Sequence, residues 1–564
     1  MIRTALAGSL CAATIGLIAC GGNGSLPQLS PAQGAGLLSC TSLGGSFSHP
    51  GTTLTATSLV ATGTLNNGGA AVNEHCLVTG KMNQRTSQFD GQSYAIGFEM
   101  RLPKDWNGRF LYQGNGGTDG VVSPAVGNFS GGGMLRHALQ QGFAVISSDA
   151  GHSAAQNPLF GLDPQARLDY GYQAVGTLTA MSKNLIKAAY GKTPDRSYIG
   201  GTSNGGRHAM VAAARYPGEY DGYLAGSPGF NLPKAAVAQL YGAQQWSKVA
   251  TERTNLETGF NSTERKMVAA AVLTRCDNLD GVVDGLIEDV EACRSAFDLQ
   301  RDVPTCSSAR DGTCLTAEQK TALSSVMTGA RNSKGEALYA GWPFDPGLRS
   351  TGWADWKFRN SVGAARDPVA VAFIFSSPPA SASIMSDTLG YALNFNMDVD
   401  APRIFSTSPN FTESAMSFMT PPNPTKLDAL RDRGAKMIVF HGNADPVFSV
   451  DDTTAWYKAL NAESGATANS YVRFFRVPGM GHSRGGPATD QFDALSALVD
   501  WVEFGKAPDS ILATARGTGN AGGVNSDVPG DWGAGRTRPL CPYPFIARYR
   551  SGDKEVASSF ACEK

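Results

Sequence analysis

Four short apolar runs stand out along the chain, and each stops at glycine or polar residues. Phe110-Leu111-Tyr112 runs into Gln113-Gly114-Asn115-Gly116-Gly117-Thr118-Asp119-Gly120. Tyr198-Ile199 runs into Gly201-Thr202-Ser203-Asn204-Gly205. Met437-Ile438-Val439-Phe440 ends at His441-Gly442-Asn443-Ala444-Asp445-Pro446, and the run from Val472 to Val477 ends at Pro478-Gly479-Met480-Gly481-His482. Short apolar runs bounded by turn residues predict strands. Arg207 to Tyr216 holds good helix formers and no proline, which predicts a helix directly after the second run. Between Asp221 and Met437 lie about two hundred residues with few strand-like runs and many aromatics.

The second run therefore reads as strand, sharp turn, helix around Ser203. That is the context a G-x-S-x-G nucleophile elbow needs. Glycines flank the serine because the turn is too crowded for side chains. Gly481-His482-Ser483-Arg484-Gly485 also fits the pattern, but it does not lead from a strand directly into a helix. In an α/β-hydrolase the chain order is serine, acid, histidine. Asp445 and His482 satisfy that order, and each follows a predicted strand. Imidazole near neutral pH is the base a serine hydroxyl requires, and a carboxylate fixes its tautomer. The oxyanion hole is expected from the Asn204 N–H and from Gly116 or Gly117 in the early glycine loop. Ser130-Gly131-Gly132-Gly133 is a rival loop that does not directly follow a strand.

At 564 residues the chain exceeds one usual domain, and a net charge of −1 without a long basic run argues against nucleic acid as a partner. Residues 1–20 read as a signal peptide: Arg3 is followed by an apolar stretch, Ala5 to Ile18, too short to span a bilayer. Leu17-Ile18-Ala19-Cys20 looks like a bacterial lipobox, which makes Cys20 the lipidated residue and residues 21–39 a flexible tether. The chain is then exported, and a membrane is met only through that lipid; otherwise it is periplasmic or secreted. Eight mature cysteines remain: Cys40, Cys76, Cys276, Cys293, Cys306, Cys314, Cys541 and Cys562. An even number in an exported protein implies disulfides, and pairing neighbours in order is the simplest arrangement.

The fold expected is an α/β-hydrolase core, 40–226 and 431–564, with an inserted lid domain over 227–430. Inside the insert stands Cys276-Asp277-Asn278-Leu279-Asp280-Gly281-Val282-Val283-Asp284-Gly285-Leu286. Asp277, Asp280 and Asp284 can supply carboxylates to a hard cation, and Val282 and Leu286 backbone carbonyls, so a structural calcium ion is expected.

Together these motifs resemble the tannase and feruloyl esterase family of α/β-hydrolases, from about Cys40 to Cys562. The resemblance implies Ser203, Asp445 and His482 as the triad, and the same five calcium ligands between the paired Cys276 and Cys293. It also implies small-molecule esters of aromatic acids as substrates: gallates, ferulates and, in one branch, mono(2-hydroxyethyl) terephthalate. That branch uses a lid arginine on the free carboxylate. The matching stretch, Asp367 to Ser377, has none, although Arg359 and Arg366 lie just before it. Trp356 and Phe375 are candidate aromatic walls. One departure is clear. The family usually joins a cysteine before the nucleophile to one after the histidine, and here those positions hold Thr202 and Ser483. Two other readings stay open: an esterase of short aliphatic polyester oligomers, and a surface binding protein on an inactive hydrolase scaffold.

Overall fold

The computed structural model describes residues 26–564, apart from 68, 129–130, 133–135 and 308. The signal peptide, Cys20 and the first part of the tether lie outside the described residues. Nine strands form the main sheet: β1 (Thr52–Val60), β2 (His75–Thr86), β3 (Ser93–Pro103), β4 (Arg109–Gly114), β5 (Ala144–Ser148), β6 (Arg196–Thr202), β7 (Gly222–Gly226), β8 (Lys436–Gly442) and β9 (Val472–Val477). Their order is β9-β8-β7-β6-β4-β5-β3-β2-β1. The six strands from β9 to β5 pair in parallel, whereas β3, β2 and β1 join antiparallel. All four strands predicted from apolar runs are present and lie in the parallel part.

Parallel strands are buried on both faces, which explains their unbroken apolar character. One face packs on α1 (Ala174–Tyr190) and α2 (Asn204–Arg215) through residues such as Ile199, Leu178, Met210 and Val439. The other packs on α3 (Ala494–Phe504) through Leu224, Ile438, Phe475 and Leu498. This is an α/β sandwich of the hydrolase type.

From β7 to β8 the chain forms helices and turns, with no strand longer than an isolated bridge among the described residues. Trp246, Phe260, Trp353 and Phe358 build a second apolar cluster there, which reaches the core loop at Val447 and Phe448. Four disulfides use all eight cysteines among the described residues, pairing Cys40–Cys76, Cys276–Cys293, Cys306–Cys314 and Cys541–Cys562. None of the helices among the described residues is long and apolar enough to cross a membrane.

One buried ion pair clamps the sheet from below. Glu503 at the end of α3 accepts from Arg109 Nε at 2.6 Å and Nη2 at 2.8 Å, from Tyr198 Oη at 2.7 Å and from Ala32 N at 2.8 Å. It thus fastens the starts of β4 and β6, the two strands that carry the glycine loop and the elbow. Burial alone would raise the Glu503 carboxyl, but the Arg109 and Tyr198 hydrogen bonds outweigh it and hold it below the ordinary value. A depressed carboxyl stabilises the fold above its unfolded pKa, near 4.3, and that stabilisation is lost as pH falls through the lower folded value. Glu503→Ala should cost about 3–5 kcal/mol at pH 7, because Arg109 is left buried and unpaired. The gap to wild type should narrow in urea melts as pH falls below about 4. A gap independent of pH would contradict this account.

Candidate active site

Ser203 sits at the junction of β6 and α2 with φ 62° and ψ −124°, a backbone that non-glycine residues rarely adopt. Its neighbours hold it there. Ser203 N donates to Gly226 O at 2.9 Å, and Arg207 N donates to Ser203 O at 3.0 Å. A Cβ at Gly201 or Gly205 would lie 2.4 or 2.2 Å from Gly114 O, and one at Gly206 would lie 2.6 Å from Gly226 O. The glycines are thus required by packing against β4 and β7.

His482 Nε2 lies 2.8 Å from Ser203 Oγ, and His482 Nδ1 lies 2.8 Å from Asp445 Oδ2. The carboxylate accepts, so Nδ1 carries the proton and Nε2 is free to take the serine's. Asp445 is buried. Its Oδ1 accepts from Val447 N at 2.8 Å and Phe448 N at 3.2 Å, and its Oδ2 also faces His441 Nε2 at 3.1 Å. Burial would raise this carboxyl, but His482 and His441 outweigh it and hold it well below the usual range. His441 Nε2 also faces Phe448 O at 3.1 Å, so it must donate, leaving Nδ1 to accept from Thr453 Oγ1 at 2.9 Å.

Gly116 and Gly117 are exposed in the loop after β4, and a Cβ at Gly116 would lie 3.9 Å from Ser203 Cβ. The loop therefore runs beside the nucleophile. Within the rival segment, Gly132 N instead bonds Asp490 O. A cavity of about 350 Å³ opens over Ser203 and His482, walled by Gly117, Thr202, Trp356, Arg366 and Ser483. A narrower continuation runs past Tyr170, Ala235, Phe375, Val447 and Phe448. Trp356 lies 6.0 Å from the His482 ring, and Arg366 lies 5.6 Å from the Trp356 ring. Among the described residues Arg366 has no carboxylate within ion-pair reach, whereas Arg359 pairs with Asp355 and Glu257 on the exterior.

The tannase and feruloyl esterase family model matches residues 76–563. The chain belongs to this family. Mono(2-hydroxyethyl) terephthalate hydrolase of Piscinibacter sakaiensis is 38% identical over 87% of this chain and 85% of that protein. A probable feruloyl esterase B of Emericella nidulans is 28% identical over 83% of each. Among solved structures, feruloyl esterase B from Aspergillus oryzae superposes with a TM-score of 0.72 at 22% identity, covering 93% of this chain and 99% of that one. Tannin acyl hydrolase from Aspergillus niger gives 0.65 at 19% identity, covering 92% and 93%. The protein is a carboxylic ester hydrolase of the tannase and feruloyl esterase type.

The acidic loop hangs from α4 (Ser262–Cys276), and Gly281, at φ 105°, allows its turn. Asp277 Oδ1 accepts from Asp284 N at 2.9 Å and Gly285 N at 3.0 Å. Asp284 pairs with Arg538. Asp280 Oδ2 is buried without a partner, and burial together with Asp284 pushes that carboxyl up to about 7. Burial, then Asp280 and Asp284, raise Glu288 well above its ordinary value. No closed cluster of three His, Cys, Asp or Glu ligands forms among the described residues. The orphaned oxygen and the surplus of buried acid nonetheless fit a loop completed by a cation and carbonyl oxygens. Sequence reasoning missed Glu288, eight residues beyond Asp280. It also missed the role of His441 as second donor to Asp445, although both residues stood in one quoted motif.

Thr202 and Ser483 line the same cavity on either side of the relay. Ser483, at φ 65°, has a buried hydroxyl without a partner, and its N–H donates to Ser227 Oγ at 3.2 Å. Nothing covalent joins the two loops. Thr202→Cys with Ser483→Cys should form a disulfide on oxidation, read as a loss of two mass units and two titratable thiols. Two free thiols after full oxidation would show that the positions do not meet as the family's cysteines do.

Proposed function

We propose that the protein is an exported serine esterase that hydrolyses esters of aromatic acids through an acyl-enzyme. The observation that carries this reading is the Ser203–His482–Asp445 relay opening into a cavity with Trp356 on one wall and Phe375 deeper in. Ser203 Oγ attacks the ester carbonyl while His482 Nε2 takes its proton. The carbonyl oxygen, now negative, is met by the N–H of Asn204 and that of Gly116 or Gly117. His482 then hands the proton to the departing alcohol. Water enters by the same route in reverse and frees the acid.

Residues 227–430 act as the lid, a reading supported by the cavity residues it contributes, among them Trp356, Arg366 and Phe375. The terephthalate and ferulate named for the relatives suggest a single planar ring in the acyl pocket. Arg366 favours a second reading within this class. A cation without an ion-pair partner beside the cavity suits an acyl group with a free carboxylate, as in a terephthalate half-ester. An inactive binding scaffold would have no need of a relay with hydrogen-bonding distances of 2.8 Å at both steps. Export and lipidation at Cys20 rest on the leader sequence, and the four disulfides suit an oxidising compartment.

Ser203→Ala should lower kcat at least about 10⁴-fold with the fold intact. It should also abolish labelling by a fluorophosphonate probe. Retention of most activity would overturn the nucleophile. Substrate class is read from a panel of hydroxycinnamate, gallate, terephthalate half-ester and short aliphatic esters. An aliphatic preference would sink the aromatic reading. Arg366→Ala should raise KM for the terephthalate half-ester alone.

A structural calcium ion in the Asp277–Leu286 loop would be held by the carboxylates of Asp277, Asp280 and Asp284 and the carbonyls of Val282 and Leu286. A ligand bound only by the folded state stabilises it by mass action. Chelator should therefore lower Tm of the wild type and leave Asp280→Ala, already less stable, unchanged. Equal Tm values in all four samples would count against the ion.

A further inference from the structure

An oxyanion hole built from two separate loops works only if their N–H groups keep a fixed spacing. Each donor must come within about 2.7–3.1 Å of one oxygen that exists only in the transition state. In this protein one donor starts α2, and the other lies in a glycine loop that is exposed and has no side chains of its own at Gly116 and Gly117. Something must hold that loop to the helix.

We propose that Asp119 is a positioning residue that ties the glycine loop to Asn204 and so sets the width of the oxyanion hole. The inference rests on the reading of Gly116, Gly117 and Asn204 as the oxyanion donors. Asp119 belongs to the glycine loop, with φ 53°, and its side chain is only 1% exposed. Asp119 Oδ2 accepts from Asn204 Nδ2 at 2.8 Å and lies 2.9 Å from His208 Nε2. Both partners stand on α2, one turn apart. The other end of the Asn204 amide is also held: Asn204 Oδ1 accepts from Arg207 Nε at 2.6 Å. Arg207 is fully buried and donates onward to Gly171 O at 2.7 Å and Tyr170 O at 3.0 Å. Tyr170 Oη in turn donates to Gly117 O at 3.2 Å.

The bonds close a ring. It runs from Gly117 through Tyr170, Arg207 and Asn204 to Asp119, and back along two residues of the loop. Every link is buried or half-buried, so water does not compete freely for its hydrogen bonds. Two further bonds fix the loop backbone from outside the ring: His152 Nε2 to Thr118 O at 2.8 Å and Asn157 Nδ2 to Asp119 O at 3.1 Å. Asp119 is the loop residue whose side chain reaches α2. Its carboxylate faces the helix and not the cavity, so it meets no substrate. Its effect passes through the two backbone donors.

A residue with this role acts on the transition state and not on ground-state binding. Asp119→Ala should lower kcat about 10–100-fold on a p-nitrophenyl ester, with KM within about twofold. A trifluoromethyl ketone, whose adduct with Ser203 carries the same oxyanion, should bind more weakly by a similar factor. Affinity for the free aromatic acid product should stay unchanged. Should Asp119→Ala fail to fold by circular dichroism, Asp119→Asn is read in its place. It keeps the side-chain volume and an acceptor oxygen, and a loss of about 3–10-fold in kcat is expected. Unchanged kcat and ketone affinity, in a wild type that is labelled by the fluorophosphonate, would overturn the inference while leaving the esterase reading intact. A loss shared equally by ketone and product binding would also overturn it, because that marks a general loosening of the site. A wild type that resists labelling would instead overturn the esterase reading and this inference with it.

Discussion

The backbone at Ser203 is the constraint on which the rest of the site depends. A serine at φ 62° costs of the order of 1–3 kcal/mol and persists only where its surroundings leave it no alternative. Here the surroundings are three strands at close quarters. Gly201 and Gly205 press on Gly114 O at the end of β4, and Gly206 presses on Gly226 O at the end of β7. Ser203 therefore stands where the ends of β4, β6 and β7 approach closely. Glu503 fastens β4 and β6 at their far ends through Arg109 and Tyr198, so the same register is set from below as well. Strain at the elbow is balanced by the whole centre of the sheet, not by a local bond.

Much of this was legible in the sequence because it is written in neighbouring residues. The four apolar runs, the elbow, the order of acid and histidine, and the disulfide partners are all short-range patterns or simple counts. The second G-x-S-x-G match was separable for the same reason: Ser483 shares a positive φ with Ser203, but a turn, not a helix, follows it. The unread parts depend on contacts between distant segments. Nothing in the run Thr118-Asp119-Gly120 announces that its carboxylate meets a helix more than eighty residues later. The antiparallel strands β1 to β3 were unforeseen: exposed positions dilute the apolar signal in β1 and the end of β2, and in β3 the apolar residues alternate with Gly97, Glu99 and Arg101 instead of forming a run. Arg366 stands just before the relevant stretch, and its approach to Trp356 depends on how the helices between β7 and β8 fold together.

The helical segment between β7 and β8 has its own apolar cluster around Trp246, yet it meets the core loop at Val447 and Phe448, directly after Asp445. Lys357 deepens that contact. Its ammonium lies 3.6 Å from the Trp342 ring and reaches Gln239 Oε1 at 3.4 Å, while Gln239 Nε2 donates to Pro446 O and Val447 O at 2.9 Å. Burial pushes this lysine down to about 7, against the pull of Asp445 and Asp367. The segment that supplies the cavity walls thus also braces the acid of the relay. Changes in its packing bear on turnover as well as on substrate choice.

The eight cysteines from Cys40 to Cys562 are all joined in disulfides, and none of them lines the cavity at Ser203 and His482. The loops that carry Ser203, Asp445 and His482 contain no cysteine. Reductants and thiol-directed poisons therefore have no target at the reaction centre and act only by loosening the scaffold around it. That separates two vulnerabilities: reduction acts on the disulfide-braced scaffold, whereas no thiol stands at Ser203, Asp445 or His482 to be modified.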